Sequence, residues 1–443
     1  MESTSLLQNA GQYAILLIYL MPVVLIWLWR TRHSRTASQR HREALQETEQ
    51  AGLTEPASLH PLINRDLCIA CNACAKACPE DDVLAIINDK VELINPTHCI
   101  GHGACKRACP VDAITLVFGT EKRGVDIPNV SPTFETNVPG IFIAGELGGM
   151  GLIRNAITQG REAIESISKK PRPTDPERLD VVIVGAGPAG FSASLGAMKH
   201  KLRFVTLEQE SLGGTVSHYP RGKVVMTQPA ELPLVGKVRF RETTKEDLMG
   251  FWQKIVDDTG LKVNCGERMD SITADKDGYV VTTPKASYKT KNVLLSIGRR
   301  GTPRKLGATG EELPKVVYRL IDPEQYQQQQ VLVVGGGDSA LEAATSIAEQ
   351  PGTRVTLSYR SGAFSRAKEK NRLKVESLEA EGRMQVLLNS TVKAIREDSV
   401  SIDQDGQSIE LPNDAIIVSA GGVLPTPMLK QMGIQIETKH GTA

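Results

Sequence analysis

A chain of 443 residues has room for several domains, and its 40% hydrophobic and 23% charged content is ordinary for a globular protein. A formal net charge of +1 argues against a general nucleic-acid binder, which would carry a basic excess. Seven of the eight cysteines fall between Cys68 and Cys109, odd in number and too closely spaced for a disulfide framework, so metal ligation in a reducing compartment is expected.

The first element is the uncharged apolar run 13–29. At about 1.5 Å per residue it reaches about 26 Å as a helix, enough for a bilayer core. Pro22 is tolerated in such a helix, and Tyr13, Trp27 and Trp29 suit the interfaces. Arg30, Arg32, Arg35, Arg40 and Arg42 follow with no acid between them, which puts the C-terminal side in the cytoplasm. A cleaved signal peptide or a buried helix are the alternatives. The charge after the run, and the lack of a small-residue cleavage site, disfavour the first. The expectation is a single-pass anchor in the cytoplasmic (inner) membrane, followed at 30–59 by a basic, polar linker or juxtamembrane helix.

The cysteine region, 60–118, contains an internal repeat. Cys68, Cys71, Cys74 and Cys78, with Pro79, form a C-x2-C-x2-C-x3-C-P run, and the same register returns at Cys99, His102, Cys105 and Cys109, with Pro110. Three thiolates in one tight loop can cap three corners of an iron–sulfur cubane, and the fourth ligand must come from elsewhere. Short apolar stretches at Val83–Ile87, Val91–Ile94 and Ile114–Phe118 read as strands. Cys265 stands alone in Val263–Gly266 and is expected to be a buried structural thiol.

After the proline-containing stretch 169–176 the pattern alternates strand and helix, as in α/β domains. A buried strand from Val181 runs into Gly185-Ala-Gly187-Pro188-Ala189-Gly190, whose glycines permit a tight turn and close approach to a pyrophosphate. The next strand, Leu202–Leu207, ends at Glu208, placed to hold a ribose hydroxyl. A second fingerprint is Gly335-Gly-Gly337-Asp338-Ser339-Ala340. Its following strand ends without an acid, at Arg360, with Arg366 nearby; both suit a 2′-phosphate, so NADPH is preferred to NADH.

The cysteine repeat resembles bacterial two-cluster ferredoxins, whose remote cysteine serves the other cluster. By that resemblance Cys68, Cys71, Cys74 and Cys109 hold one 4Fe–4S cluster, and Cys78, Cys99 and Cys105 hold a second with His102 at its fourth corner. The alternative is that His102 points away and the second cluster is of the 3Fe–4S type. The paired fingerprints resemble the thioredoxin-reductase-like branch of the pyridine-nucleotide flavoprotein reductases. Gly213, Gly214 and Thr215, together with crossover motifs ending at Gly298 and Gly421, match that branch. The resemblance implies FAD at the first fingerprint and a nicotinamide nucleotide at the second.

Members of that branch close with a T-x-x-P-G-I-F-A-A-G-D segment against the flavin. Here the match lies upstream, at Thr136–Glu146, with Gly145 and Glu146 at its end, which implies a circular permutation. The expected organisation is a transmembrane helix at 13–29, the linker at 30–59 and a small α+β dicluster ferredoxin domain at 60–118. A permuted FAD segment at 119–170 follows, then an FAD-binding domain at 179–298, an NAD(P)H-binding domain at 299–418 and a closing FAD segment at 419–443. The fold class is α/β with two Rossmann-like domains. No cysteine pair precedes the second fingerprint, so dithiol chemistry is disfavoured.

These readings imply an oxidoreductase relaying electrons between NADPH, FAD, two clusters and an unidentified acceptor or donor protein. No side chain is required as acid or base. A flavin-dependent disulfide reductase without its own dithiol and a membrane-tethered redox sensor remain alternatives. Direction of flow and oligomeric state, a homodimer included, are left open.

Overall fold

The computed structural model describes residues 21, 24–25 and 36–441, apart from 51–53, 55, 57–58, 81, 100, 122–123, 150, 220, 223, 227–228, 240–242, 300 and 366. The apolar run 13–29 therefore lies outside the described residues, save for helical Met21, Val24 and Leu25. Among the described residues no helix is long and apolar enough to cross a membrane.

The first described helix, α1, spans 36–50 and is no free linker. Its Ala44 and Leu45 pack on Ala85, Ile87 and Ile94, while Arg42 donates to Asn88 at 2.6 Å and Thr48 to Asn95 at 2.9 Å. The polar composition concealed this, because a helix needs only one narrow apolar stripe to dock.

The cysteine module is built from two antiparallel pairs, β1 (His60–Ile63) with β4 (Ile114–Val117), and β2 (Leu84–Ile87) with β3 (Lys90–Leu93). Two short helices, α2 (Ala73–Ala77) and α3 (Ala104–Ala108), follow the two ligand loops. Backbone geometry repeats with the sequence. Ala70 and Asn72 are left-handed at φ 53° and 62°, and their counterparts Gly101 and Gly103 at 75° and 72°. Alternating left-handed residues curl a loop so that successive N–H groups face inward, which suits an anionic cluster.

The flavin-type domain is organised on a sheet of order β13-β14-β15-β7-β8, from Ser271–Asp275, Gly278–Thr282, Ser287–Leu295, Leu179–Val184 and Phe204–Leu207. Strand β6 (Ile141–Ile143), far upstream in sequence, adds to it by parallel pairing with β15 through Ile141↔Val293 and Ile143↔Leu295. Helix α4 (Ile153–Ser168) then packs on α5 (Pro188–Lys199), with Ile164 and Ala163 sharing a core with Ala193 and Ala197. Short strands β9 to β12 (Val224–Met226, Ala230–Leu232, Gly236–Val238, Thr243–Thr244) precede α6 (Lys245–Thr259), whose N-terminus Thr244 caps by accepting from the Asp247 amide. Strand β5 (Val125–Pro128) pairs with β26 (Ile436–Lys439), so the end of the described chain closes over the join between the cysteine module and the sheet.

The second α/β unit is a parallel sheet of order β17-β24-β18-β19-β20, from Val316–Val317, Ala415–Val418, Gln330–Val334, Arg354–Ser358 and Met384–Leu387. Near-continuous Val, Leu and Ile in β18 and β24 fit a sheet covered on both faces, here by α7 (Asp338–Ala348) and α8 (Glu369–Ala380) on one side. An antiparallel meander, β21 to β23 (Ser390–Ile395, Ser399–Gln404, Gln407–Pro412), covers the other. The pair β16 (Thr302–Pro303) and β25 (Gly422–Val423) carries the chain between the two units, and α9 (Thr426–Gln431) returns to the first.

Candidate functional site

A cavity of about 1230 Å³ opens between the two α/β units. Its floor is the first fingerprint, with Gly185, Gly187, Pro188 and Ala189 at the β7–α5 turn. Gly185 is left-handed at φ 99°, and a Cβ at Gly190 would fall 1.7 Å from the Gly185 carbonyl, so helix and strand meet with no room for a methyl. Buried Glu208 accepts from the amides of Ala186 at 2.7 Å and Glu210 at 3.0 Å, and it also faces the cavity. Gly214 and Thr215 line the cavity too, and the Gly213 amide donates to the Ala186 carbonyl at 3.0 Å, closing the turn.

Gly145 and Glu146 reach the same cavity from the upstream strand β6. Gln159 accepts from the Gly145 amide at 2.8 Å, and Ser296 donates to the carbonyls of Val184 and Gly185, both at 2.9 Å. Neither hydroxyl nor amide side chain belongs to a glycine fingerprint, so their positioning work had no sequence signal beyond the neighbouring motifs. Arg299 donates to the Asp126 carbonyl at 2.9 Å; burial pulls its guanidinium below the ordinary value, against the opposing carboxylates of Glu146 and Asp126.

The second fingerprint stands apart from this cavity. Gly335 and Gly337 lead into α7, where Ala340 is fully buried and Ser339 lies on the first turn. Asp338 accepts from the Lys368 amide at 2.8 Å and from Asn371 at 2.7 Å, tying the start of α8 to the glycine loop. Arg360 is exposed at the end of β19, and Arg366 lies outside the described residues. Tyr359 lies over the loop: a Cβ on Gly336 would come within 2.4 Å of its ring, which stacks on Phe364 at 5.6 Å.

In the cysteine module, Cys68, Cys71, Cys74 and Cys109 surround one small cavity together with Ile63 and Val91. Cys78, Cys99 and Cys105 lie close enough for their thiols to feel one another's charge, and Cys105 is also felt by Cys74 of the first group. Burial pushes the Cys74 and Cys99 thiols up to about 11, so metallation has to displace protons. His102 Nε2 is buried without a hydrogen-bond partner. Burial of the ring lowers its pKa, with Arg107 and Arg154 acting the same way and Glu80 opposing. A neutral imidazole with an unpaired, water-excluded nitrogen is what a fourth corner ligand requires. Among the described residues no three His, Cys, Asp or Glu converge tightly enough for a single metal ion; a multi-iron cluster needs a wider cage, which these two groups outline.

Cys265 departs from expectation. It is exposed, because the Val263–Gly266 turn directs Asn264 inward to Glu267 and Tyr288, and left-handed Gly266 turns the chain away.

The sequence profile for pyridine nucleotide-disulphide oxidoreductases matches residues 182–442. The chain belongs to that family. The profile for a 4Fe-4S dicluster domain matches residues 60–110 of the oxidoreductase. A ferredoxin–NADP reductase of Ignicoccus hospitalis is 28% identical over 59% of this chain and 83% of its own length. Bacilliredoxin reductase Bdr of Bacillus subtilis is 25% identical over 59% and 82%. Among solved structures, the bacillithiol disulfide reductase of Staphylococcus aureus superposes with a TM-score of 0.52 at 24% identity, covering 58% of this chain and 80% of that one, a likeness of fold. The oxidoreductase is thus an NAD(P)H-dependent FAD enzyme carrying iron–sulfur clusters. The Gly185–Gly190 cradle, the paired cysteine groups and the orphaned His102 nitrogen fit those groups.

Proposed function

We propose that the oxidoreductase is a membrane-anchored iron–sulfur flavoprotein that passes electrons between NADPH, FAD, two clusters and a separate redox partner. The observation that carries this reading is the seating of the cysteine module against the flavin cavity. The Phe118 ring, directly after β4, lies against Gly149, which ends the turn that begins at cavity-lining Glu146. FAD supplies the conversion between a two-electron hydride and single electrons. The balance is one NADPH and two oxidised clusters giving NADP⁺, one proton and two clusters each reduced by one electron.

In this reading Gly185, Gly187, Gly190, Glu208, Gly214 and Glu146 hold the FAD. The parallel seat of β6 beside β15 supports a permuted flavin domain, in which 119–170 supplies the piece that relatives carry at their end. The apolar run 13–29 and the arginines after it support an anchor in the inner membrane, with the redox domains in the cytoplasm. Several relatives are named for ferredoxin, and the fused module would take the place of that separate carrier.

Anaerobic titration with NADPH tests the relay. Flavin absorbance should bleach and reduced-cluster EPR signals should grow, with two clusters by iron count. Flavin reduction without any cluster signal would sink the proposal. So would full turnover of a disulfide substrate after iron removal.

Arg360→Leu tests the nucleotide. A charge-assisted contact to the 2′-phosphate contributes about 1.5–3 kcal/mol, so KM for NADPH should rise roughly ten- to hundredfold while KM for NADH stays put. Equal effects on both would remove Arg360 from the 2′-phosphate.

A further inference from the structure

The join between the cysteine module and the flavin-type domain is built as a fixed joint. Phe118 follows β4 directly, and its ring meets the turn that starts at cavity-lining Glu146 and ends at Gly149. A Cβ on Gly149 would fall 2.8 Å from Phe118 Cζ and 2.8 Å from Ile127 Cδ1, so a ring from the module and a methyl from β5 close on the same glycine. Gly149 is left-handed at φ 104°, and its amide donates to the Glu146 carbonyl at 2.8 Å. A shift at Gly149 is therefore passed to Glu146.

Backbone bonds hold the joint from its other side. The Gly441 amide donates to the Phe118 carbonyl at 2.8 Å. Strand β26 pairs with β5 through Lys439↔Val125 and Glu437↔Ile127, and Thr438 donates to the Asp126 carboxylate at 2.7 Å. Arg299, from the crossover after β15, donates to the Asp126 carbonyl at 2.9 Å. Paired backbone groups and packed apolar contacts of this kind resist the local opening that a solvated linker permits.

We infer that Phe118 is a positioning residue for electron transfer: packed on Gly149, it sets the approach of the cysteine module to the flavin, which the clusters meet through a fixed contact and not as a swinging domain. The inference rests on the relay reading above and deepens it. Phe118 is neither oxidised nor reduced, and no bond changes at it. One electron passes from the reduced flavin to one oxidised cluster at each transfer. Two transfers, with release of one proton to water, clear the hydride taken from NADPH. Where a reaction depends on close approach, a displacement of about 1 Å caused far from the reacting atoms can cost roughly a hundredfold in rate.

Three variants of the full-length protein test the contact, each compared anaerobically per iron- and FAD-loaded chain. Phe118→Ala opens a gap beside Gly149, and Phe118→Tyr sets a hydroxyl on the ring atom that abuts it. Phe118→Met refills the space with a flexible side chain. NADPH should bleach the flavin at the wild-type rate in all three. Cluster reduction should slow about ten- to hundredfold in Phe118→Ala and Phe118→Tyr and return close to wild type in Phe118→Met. Cluster midpoints in mediated titrations should stay put, because the ligands and their surroundings set them. Apart from turnover, amide exchange at 146–149 should quicken in Phe118→Ala, since the turn loses the ring packed on it. Unchanged exchange, or cluster reduction at the wild-type rate in Phe118→Ala and Phe118→Tyr, would overturn the inference. So would a shifted midpoint that accounts for the slower rate, or loss of iron or FAD with the loaded remainder reacting normally, which is a structural role alone. Wild-type clusters that NADPH never reduces would instead remove the relay itself, which keeps the two failures apart.

Discussion

Cys74→Ala is expected to unfold the module between residues 60 and 117 while the flavoprotein body stays folded. Cys74 is only 5% exposed and Cys105 only 4%, and both sit in one small core with Val83, Leu84, Val91 and Ile114. A module of this size buries too little apolar surface to be stable by itself; about sixty residues is the marginal range. The two buried thiols are therefore both ligands and core, and neither is stably ionised without metal, since burial holds Cys74 up at about 11. Metal binding in small modules contributes folding free energy on the order of 10 kcal/mol, far more than the loss of one sulfur from a core. Losing one corner of the cage thus removes most of the module's stability. Iron analysis, flavin content and limited proteolysis check it together. Iron should fall, FAD should stay bound, and new cleavage should appear between 60 and 117. A variant that lost its iron yet kept the module protected would show that the protein core, rather than the clusters, holds it.

How much of this could be read from the chain depends on whether a residue's role is written in its neighbours. The strand–glycine–helix units at Val181–Gly190 and Val331–Ala340 were legible because tight turns need glycine and parallel strands need continuous apolar residues. The cysteine repeat was legible because the ligand spacing of a tight loop is written in consecutive residues, and its three strands appear within one or two residues of the expected bounds. A helix within 30–59 was one of two readings, but the docking of α1 on the cysteine module was not legible, because its few apolar contacts are hidden among polar residues and only the tertiary partner reveals them. Cys265 misled because free cysteines are usually buried, while a left-handed glycine beside it turned this one outward. Gln159, Ser296 and Tyr359 lie in stretches the sequence singles out, but their contacts with the glycine loops were not read from it. Each acts on a backbone loop from a distant stretch of chain, and nothing in the local sequence marks such a contact.

Gly190→Ala is expected to yield a folded but largely flavin-free protein. The added methyl would sit 1.7 Å from the Gly185 carbonyl oxygen and 2.6 Å from Ser296 Oγ. The hydroxyl can rotate away, but the carbonyl belongs to the left-handed turn that forms the cradle and has nowhere to go. Helix α5 would have to lift from β7, carrying with it the amides of the first helical turn that face the cavity. The second fingerprint shows why the same change is tolerated elsewhere. Ala340 occupies the equivalent place, and there Gly335 adopts φ 150° rather than the 99° of Gly185, a different turn that accommodates the methyl. Overpacking of this kind costs about 1–3 kcal/mol, and the backbone contact places Gly190 at the upper end, roughly a hundredfold in FAD affinity. Gly337→Ala is the matched control, since a Cβ there would meet nothing within 4 Å, and it should keep its flavin. Measuring FAD per chain by absorbance after desalting decides between them. Equal flavin content in both variants would mean that α5 shifts at little cost, and that the close packing of helix on strand is not what retains the cofactor.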